Sequence, residues 1–222
     1  MGVAGVNNVI VTVLSTAAAG LVFWPDIVSK RLEASTTPGV STMWSSTTLL
    51  RFLHLASFST AFGAALWVSF IGGIIMFRHL PRHQFGNLQA KMFPAYFRLT
   101  STCLATAVGV IAVLRPWSTS TTWEKAQFGT LGVSLLFTLA NLLVMEPVTT
   151  KLMRERHKVE RDEGIGTEPG VSRKAQIEKA SPQLQAINKK FMAAHGVSSL
   201  LNLFAFLSLV VHAAYLSSRL LL

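Results

Sequence analysis

The sequence predicts an all-α integral membrane fold, in which four helices form an antiparallel transmembrane bundle. Half of the 222 residues are hydrophobic and only 14% are charged, whereas soluble domains carry about 25% charged residues. The mean hydropathy is +0.45, and the apolar residues form runs long enough to cross hydrocarbon about 30 Å thick as helices. The charged residues lie in blocks between these runs, as they do in polytopic membrane proteins.

The first 48 residues precede the core helices and contain two segments. Residues 1–24 are hydrophobic and contain neither Lys nor Arg. They are interpreted either as a signal peptide or as an uncleaved membrane anchor, which would add an N-terminal helix to the bundle. Residues 25–48 are rich in Ser, Thr, Pro and Gly. This composition favours turns, so the segment is interpreted as a linker.

The four-helix transmembrane domain is predicted to extend over residues 49–222. Small residues recur in its spans and allow membrane helices to pack closely. The predicted spans are Leu49–Phe77, Pro94–Leu114, Phe128–Met145 and His195–Leu216, with an amphipathic start near Phe85 as an alternative for the second helix.

A charged segment, residues 148–194, separates the last two spans. Its two ends contain good helix formers, which predict helical extensions beyond the bilayer at 148–163 and 182–194. Glycines and a proline at Gly164–Gly170 predict a break between the extensions. Ser181 followed by Pro182 has the pattern of a helix N-cap with proline at the first helical position.

The basic residues predict the orientation in the membrane. Residues 78–98 contain four Lys or Arg and no acid, and residues 148–194 contain ten more. Residues 78–98 are interpreted as a polar turn between the first two spans, which places both segments on one side. Because loops rich in Lys and Arg stay in the cytosol, we expect both segments to be cytosolic. The net charge of +10 is explained by this topology, and nucleic acid is not predicted as a partner.

Four short stretches resemble one known family. They are LPRHQFGNLQAKMFPAYF at 80–97, TWEKAQ at 122–127, EPVTTKLM at 146–153 and HGVSSLLNL at 195–203. Their order along four hydrophobic spans resembles the transmembrane protein 205-like family. This resemblance implies a four-helix protein of the endoplasmic reticulum or plasma membrane, with another organelle membrane as an alternative. In animals the family is associated with tolerance to platinum drugs, and it implies no assigned reaction or transport substrate.

Polar residues at the cytosolic ends of the spans are the candidate ligand-binding site, because polar groups near hydrocarbon are costly unless they have a role. They are read either as a hydrogen-bond network that holds the helices together or as a polar mouth for a ligand or an anionic headgroup. We expect Glu146 to bond one of His195, Arg82 and Lys91, and Asn202 to bond a neighbouring helix. The candidates are Arg82, His83, Gln89, Lys91, Glu146, His195, Ser199 and Asn202.

Catalytic, metal and cofactor sites are not predicted. The sequence contains no recognisable nucleophile–base motif, Gly-rich phosphate loop or HExxH signature, which disfavours an enzyme. The single cysteine, Cys103, excludes an intrachain disulfide. His54 and His212 are weak candidates for a haem or metal, since antiparallel helices would place them at similar depth and iron accepts imidazole. The alternative is that the two histidines are unrelated.

Three functional hypotheses follow. The first is a structural or accessory bundle that acts through a membrane-protein partner or as a homo-oligomer in the lipid bilayer. The second is an export helper for small solutes or drugs, which would need an oligomer because four helices are few for a transporter. The third is a haem- or metal-binding membrane enzyme.

Overall fold

The computed structural model describes residues 45–170 and 180–219. The N-terminal hydrophobic segment 1–24 and nearly all of the linker 25–48 lie outside these described residues.

Four helices account for most of the described chain. They are α1 (Ser46–His79), α2 (Arg82–Leu114), α3 (Thr122–Asp162) and α4 (Pro182–Ser217), and each is long and apolar enough to cross a membrane. Residues 45–170 and 180–219 contain no β-strand. Many large apolar side chains on these helices, such as Leu136 and Leu143, are exposed, which implies a lipid environment. The predicted all-α membrane fold is confirmed.

The prediction of a polar turn at residues 78–98 was wrong in its extent. Only Leu80 and Pro81 separate α1 from α2, and α2 already begins at Arg82. Pro94, where the sequence predicted the second span to begin, lies inside this helix. Proline lacks the N–H that bonds the preceding turn. In membrane helices it is tolerated, because neighbouring groups satisfy the carbonyl that proline leaves free.

The charged segment between the last two spans has the predicted helical ends. Helix α3 continues through Glu146 and Pro147 to Asp162, and the chain then turns at Gly164, Gly166 and Gly170, which all have positive φ. Helix α4 begins at Pro182.

Ser181 caps the start of α4. Its side-chain oxygen accepts a hydrogen bond from the backbone N–H of Leu184 at 3.1 Å, which satisfies one of the free donors of the first turn. Its hydroxyl also donates to the carboxylate of Glu163. The predicted cap is therefore confirmed, and it additionally ties the start of α4 to the end of α3.

The described chain divides into two compact units, each built from parts of the helices. The first comprises residues up to Phe62, Leu99–Leu135 and residues from Ser208 onward. Its buried side chains include Leu104, Leu131 and Leu209.

A buried polar chain runs through the apolar core of the first unit. His54 Nδ1 bonds the carbonyl of Ala107 at 3.1 Å, and His54 Nε2 lies 3.1 Å from His212 Nε2. His212 Nδ1 bonds the side chain of Gln127 at 2.9 Å. The structure thus brings the two candidate histidines together. All four ring nitrogens already have protein partners.

The second unit comprises Gly63–Arg98 and Leu136–Leu207. It contains two π-helical turns, Trp67–Gly72 in α1 and Asn141–Met145 in α3. Such turns frequently occur at functional sites, because they locally widen the helix and change its hydrogen bonding.

Hydrogen bonds from α4 fasten the other three helices within this unit. Asn202 donates to Ser69 Oγ at 2.7 Å and accepts from Tyr96 Oη at 2.8 Å. Ser198 donates to the Asn141 side chain at 2.7 Å, and Asn141 donates to the Ser198 carbonyl at 3.1 Å. The expectation that Asn202 bonds a neighbouring helix is confirmed. Both π-helical turns contribute to this network.

Candidate ligand-binding cavity

A cavity of about 880 Å³ lies within the second unit. It is lined by residues of all four helices and by Gly170 in the turn that follows α3. Sites for drug-sized molecules usually measure about 300–1,000 Å³. The cavity is therefore large enough for a small organic ligand.

Phenylalanines form most of the apolar wall. On α2, Phe85, Phe93 and Phe97 lie on the face that borders the cavity, since residues separated by three or four positions share one helix face. Such aromatic walls suit an apolar ligand, because burying them against a ligand removes their surface from water. The phenylalanines that line the cavity are Phe70, Phe77, Phe85, Phe93, Phe97, Phe191 and Phe206.

An ion-pair cluster forms one polar end of the cavity. Arg82 Nη1 donates to Glu160 Oε1 at 2.9 Å, and Arg156 Nε lies 3.4 Å from the same oxygen. The side chain of Glu160 is only 2% exposed. Two arginines thus share one carboxylate, which leaves an excess positive charge at this end of the cavity.

The guanidinium of Arg156 is held in place but is not saturated by hydrogen bonds. Its Cζ lies 4.3 Å from the centroid of the Phe191 ring, which is a cation–π contact. Its Nε is buried and makes no hydrogen bond within the described residues, despite its proximity to Glu160. A buried donor of this kind usually has a partner, so an acceptor on a ligand would satisfy it.

Two histidines lie beside the same carboxylate. His83 Nε2 donates to Glu160 Oε2 at 3.0 Å, and the rings of His83 and His157 have centroids 4.5 Å apart. His157 belongs to the charged last part of α3, which extends past its apolar run. Burial, followed by the neighbouring His83 and Arg156, lowers the pKa of His157 to about 4. Its imidazole is therefore neutral at neutral pH.

The structure places six of the eight predicted site residues on the cavity wall. His83 and Lys91 do not line the cavity: His83 lies behind Glu160, and Lys91 is exposed. The six that line it are Arg82, Gln89, Glu146, His195, Ser199 and Asn202.

The prediction that Glu146 bonds His195, Arg82 or Lys91 was wrong. Its Oε1 accepts a hydrogen bond from Thr150 Oγ1 at 2.8 Å, one turn further along α3. Within the described residues, Glu146 makes no bond to His195, Arg82 or Lys91, and Arg82 pairs with Glu160 instead. The reason is distance along α3, because Glu160 lies fourteen residues, or about 21 Å, beyond Glu146.

Sequence reasoning missed Arg156, His157 and Glu160. The segment containing them was predicted only as a helical extension beyond the bilayer. Met153, His157 and Glu160 are nevertheless buried, and their spacing of four and three residues places them on one helix face. That spacing was the available signal, although it does not reveal what covers the face.

The fold and the cavity together define a multi-pass α-helical membrane protein with an amphipathic pocket. The family described as "Domain of unknown function (DUF4149)" matches residues 56–158 of this chain. Transmembrane protein 205 of Danio rerio is 29% identical over 178 residues, which are 78% of this chain and 95% of that protein. Both similarities support the resemblance to the transmembrane protein 205-like family that the sequence motifs indicated.

Another similarity is shorter. Xanthocillin biosynthesis cluster protein D of Aspergillus fumigatus is 40% identical over 63 residues, which are 28% of this chain and 38% of that protein. No solved structure matches the chain.

Proposed function

We propose that this protein is an accessory membrane protein that binds an amphiphilic molecule with an acidic headgroup in the cavity of the second unit. The observation that carries this proposal is the pairing of a phenylalanine wall with the unsaturated guanidinium of Arg156. These two features define the ligand class. The apolar wall would contact a hydrocarbon or aromatic part of the ligand, and the arginine would bind a phosphate or carboxylate group.

Charge supports an acidic headgroup rather than a basic one. Near Arg156 the charged groups on the wall are Arg82 and Glu160, and one carboxylate neutralises only one of the two arginines. The other acid on the wall, Glu146, lies ten residues back along α3, or about 15 Å from Arg156. A headgroup at Arg156 is thus attracted locally and is distant from the carboxylate of Glu146.

The network of Asn141, Ser198 and Asn202 supports the structural part of the role. These residues hold the four helices around the cavity, and their donors and acceptors are directed to protein partners. The predicted polar cluster thus combines two functions in this proposal. Its Asn and Ser residues fasten the helices, whereas the arginine end contacts the ligand. Any action through a protein partner would then depend on whether the cavity is filled.

A binding measurement with a defined amphiphile tests the proposal. The full chain in detergent would be titrated with a single-chain lysophosphatidic acid, with the corresponding monoacylglycerol as the ligand lacking phosphate. We expect the phosphate to tighten binding, because hydrogen bonds to charged groups are worth about 1.5–3 kcal/mol, which is roughly 10- to 100-fold in affinity. Alkylsulfonates of matched chain length distinguish a requirement for a lipid phosphate from a requirement for any acidic amphiphile.

Arg156→Gln should remove most of that preference. Arg154→Gln is the matched control, since Arg154 lies on the same helix and is exposed. Equal affinities for the two headgroups, or equal effects of the two substitutions, would contradict the proposal.

Export of a small solute remains the second candidate function. The same cavity would then be the site of the transported molecule, and an oligomer would be required. The mass of the protein–detergent complex by light scattering separates this candidate, because a monomer that binds the ligand counts against export.

A further inference from the structure

Three potential metal ligands meet behind the polar end of the cavity. One ligand atom each from His83, His157 and Glu160 lies within 4.8 Å of the other two. His157 is only 2% exposed, and its Nε2 has no hydrogen-bond partner within the described residues. Buried polar atoms nearly always have a partner. We propose that these three side chains bind a divalent transition-metal ion, with Zn²⁺ as the ion they suit best.

The two oxygens of Glu160 are already divided between different neighbours. Oε1 faces the arginines, at 2.9 Å from Arg82 Nη1 and 3.4 Å from Arg156 Nε. Oε2 faces His83 Nε2 at 3.0 Å. A metal ion would take the place of the proton between His83 and Oε2, while Arg82 would keep Oε1 and orient the carboxylate. Such outer contacts to a ligating carboxylate are common in metal sites.

Two glycines leave space for the imidazole rings of His157 and His83. A Cβ at Gly86 would lie 2.5 Å from Cε1 of His157, and a Cβ at Gly166 would overlap the ring of His83. Gly166 also has φ +98°, a conformation that other residues rarely adopt. The backbone of α2 and of the turn after α3 therefore leaves room for these two rings, which is the rigid support that a metal site needs.

The ligand chemistry selects the class of metal. Two imidazoles and one carboxylate are the set found in zinc sites that have three protein ligands and one open position. Ca²⁺ and Mg²⁺ prefer oxygen ligands throughout, and the grouped side chains include no thiolate for a soft ion. Arg82 and Arg156 repel a cation, so binding should be weaker than in a site of the same ligands without arginines.

The two histidines of this site are separate from the cavity of the proposed amphiphile, whereas Glu160 belongs to both. His83 and His157 do not line the cavity, so their substitution should change metal binding and leave the phosphate preference of the amphiphile intact. Arg156→Gln should weaken binding of the amphiphile but not of Zn²⁺, because it removes a positive charge that repels the metal ion. Failure of one proposal is thus distinguishable from failure of the other.

Metal content of the purified full chain provides the test. The protein in detergent would be stripped with a chelator, exposed to Zn²⁺ alone, desalted and analysed by inductively coupled plasma mass spectrometry. We expect one retained ion per chain. With Co²⁺ as a spectroscopic substitute, we expect ligand-field absorption of a four-coordinate site. His157→Gln and His83→Gln should lower the affinity for Zn²⁺ by at least the roughly 10- to 100-fold that changes outside the ligand set cause.

His79→Gln is the matched control, because His79 is exposed at the end of α1. It should retain as much Zn²⁺ as the unchanged protein. Thermal unfolding of each variant without metal identifies any variant that fails to fold, and His83→Gln gives a second reading if His157→Gln is unstable. Absence of retained Zn²⁺ in the unchanged protein, or equal retention in a folded His157→Gln variant, would overturn the site.

Discussion

Replacing Glu160 with alanine should destabilise the protein far more than replacing any exposed acid on the same helix. Glu160 is 2% exposed and accepts from Arg82 at 2.9 Å and from His83 at 3.0 Å. Removing it leaves Arg82 and Arg156 side by side without the carboxylate that neutralises them, and both arginine side chains are only 13% exposed.

The size of the effect follows from the buried charges. Breaking a buried ion pair by removing one partner costs about 3–5 kcal/mol, because the remaining charge has lost its solvation and its partner. For a chain of this size, 1 kcal/mol shifts the melting temperature by roughly 2–4 °C. Glu160→Ala should therefore lower the melting temperature by roughly 6–20 °C. Glu160→Gln should lower it less, since the amide oxygen still accepts a hydrogen bond.

The assay is thermal unfolding in detergent, followed by intrinsic tryptophan fluorescence. Glu155→Ala is the control, since Glu155 lies on α3 and is exposed, and surface changes of this kind usually alter stability by less than about 0.5 kcal/mol. Glu146→Ala should lie near this control, because the bond from Thr150 belongs to its own helix. If Glu160→Ala melts at the same temperature as Glu155→Ala, the ion-pair cluster does not stabilise the fold.

Two further predictions concern the helix contacts and the topology. Asn202→Ala should cost about 1 kcal/mol in the same assay, since it removes two interhelical hydrogen bonds that average about 0.6 kcal/mol each in membrane proteins, whereas exposed Ser199→Ala should cost little. Cysteine introduced at Ser118 should react with an impermeant reagent from outside intact cells, and cysteine at Thr167 should not. Native Cys103 is buried and should not interfere, and the reverse labelling pattern would contradict the charge-based topology.

Hydropathy and local capping signals predicted most of the helical fold. The four apolar runs became helices, Ser181 became the N-cap of α4, and the glycines after Asp162 adopted positive φ and ended α3. These features depend on residues close together in sequence. The helical structure of residues 82–93 was harder to predict, because polar residues followed by Pro94 are typical of a turn. These residues nevertheless form the first part of α2.

The site was predictable only in part. Asn202 and Ser198 share a face of α4 by their spacing, so their interhelical role could be anticipated. Glu160 could not be distinguished from the exposed acids around it, because its side chain bonds Arg82 and His83 at the start of α2. Those contacts join residues almost eighty positions apart. Charge and helix propensity along α3 carry no information about them.

Native mass spectrometry of protein purified from its own membranes shows directly whether the cavity holds an acidic amphiphile. We expect that a fraction of the chains carries one acidic amphiphile, that this adduct is lost in Arg156→Gln, and that it persists in Arg154→Gln. An adduct-free spectrum of the unchanged protein, or an adduct equally abundant in the two variants, would contradict the assignment of the cavity.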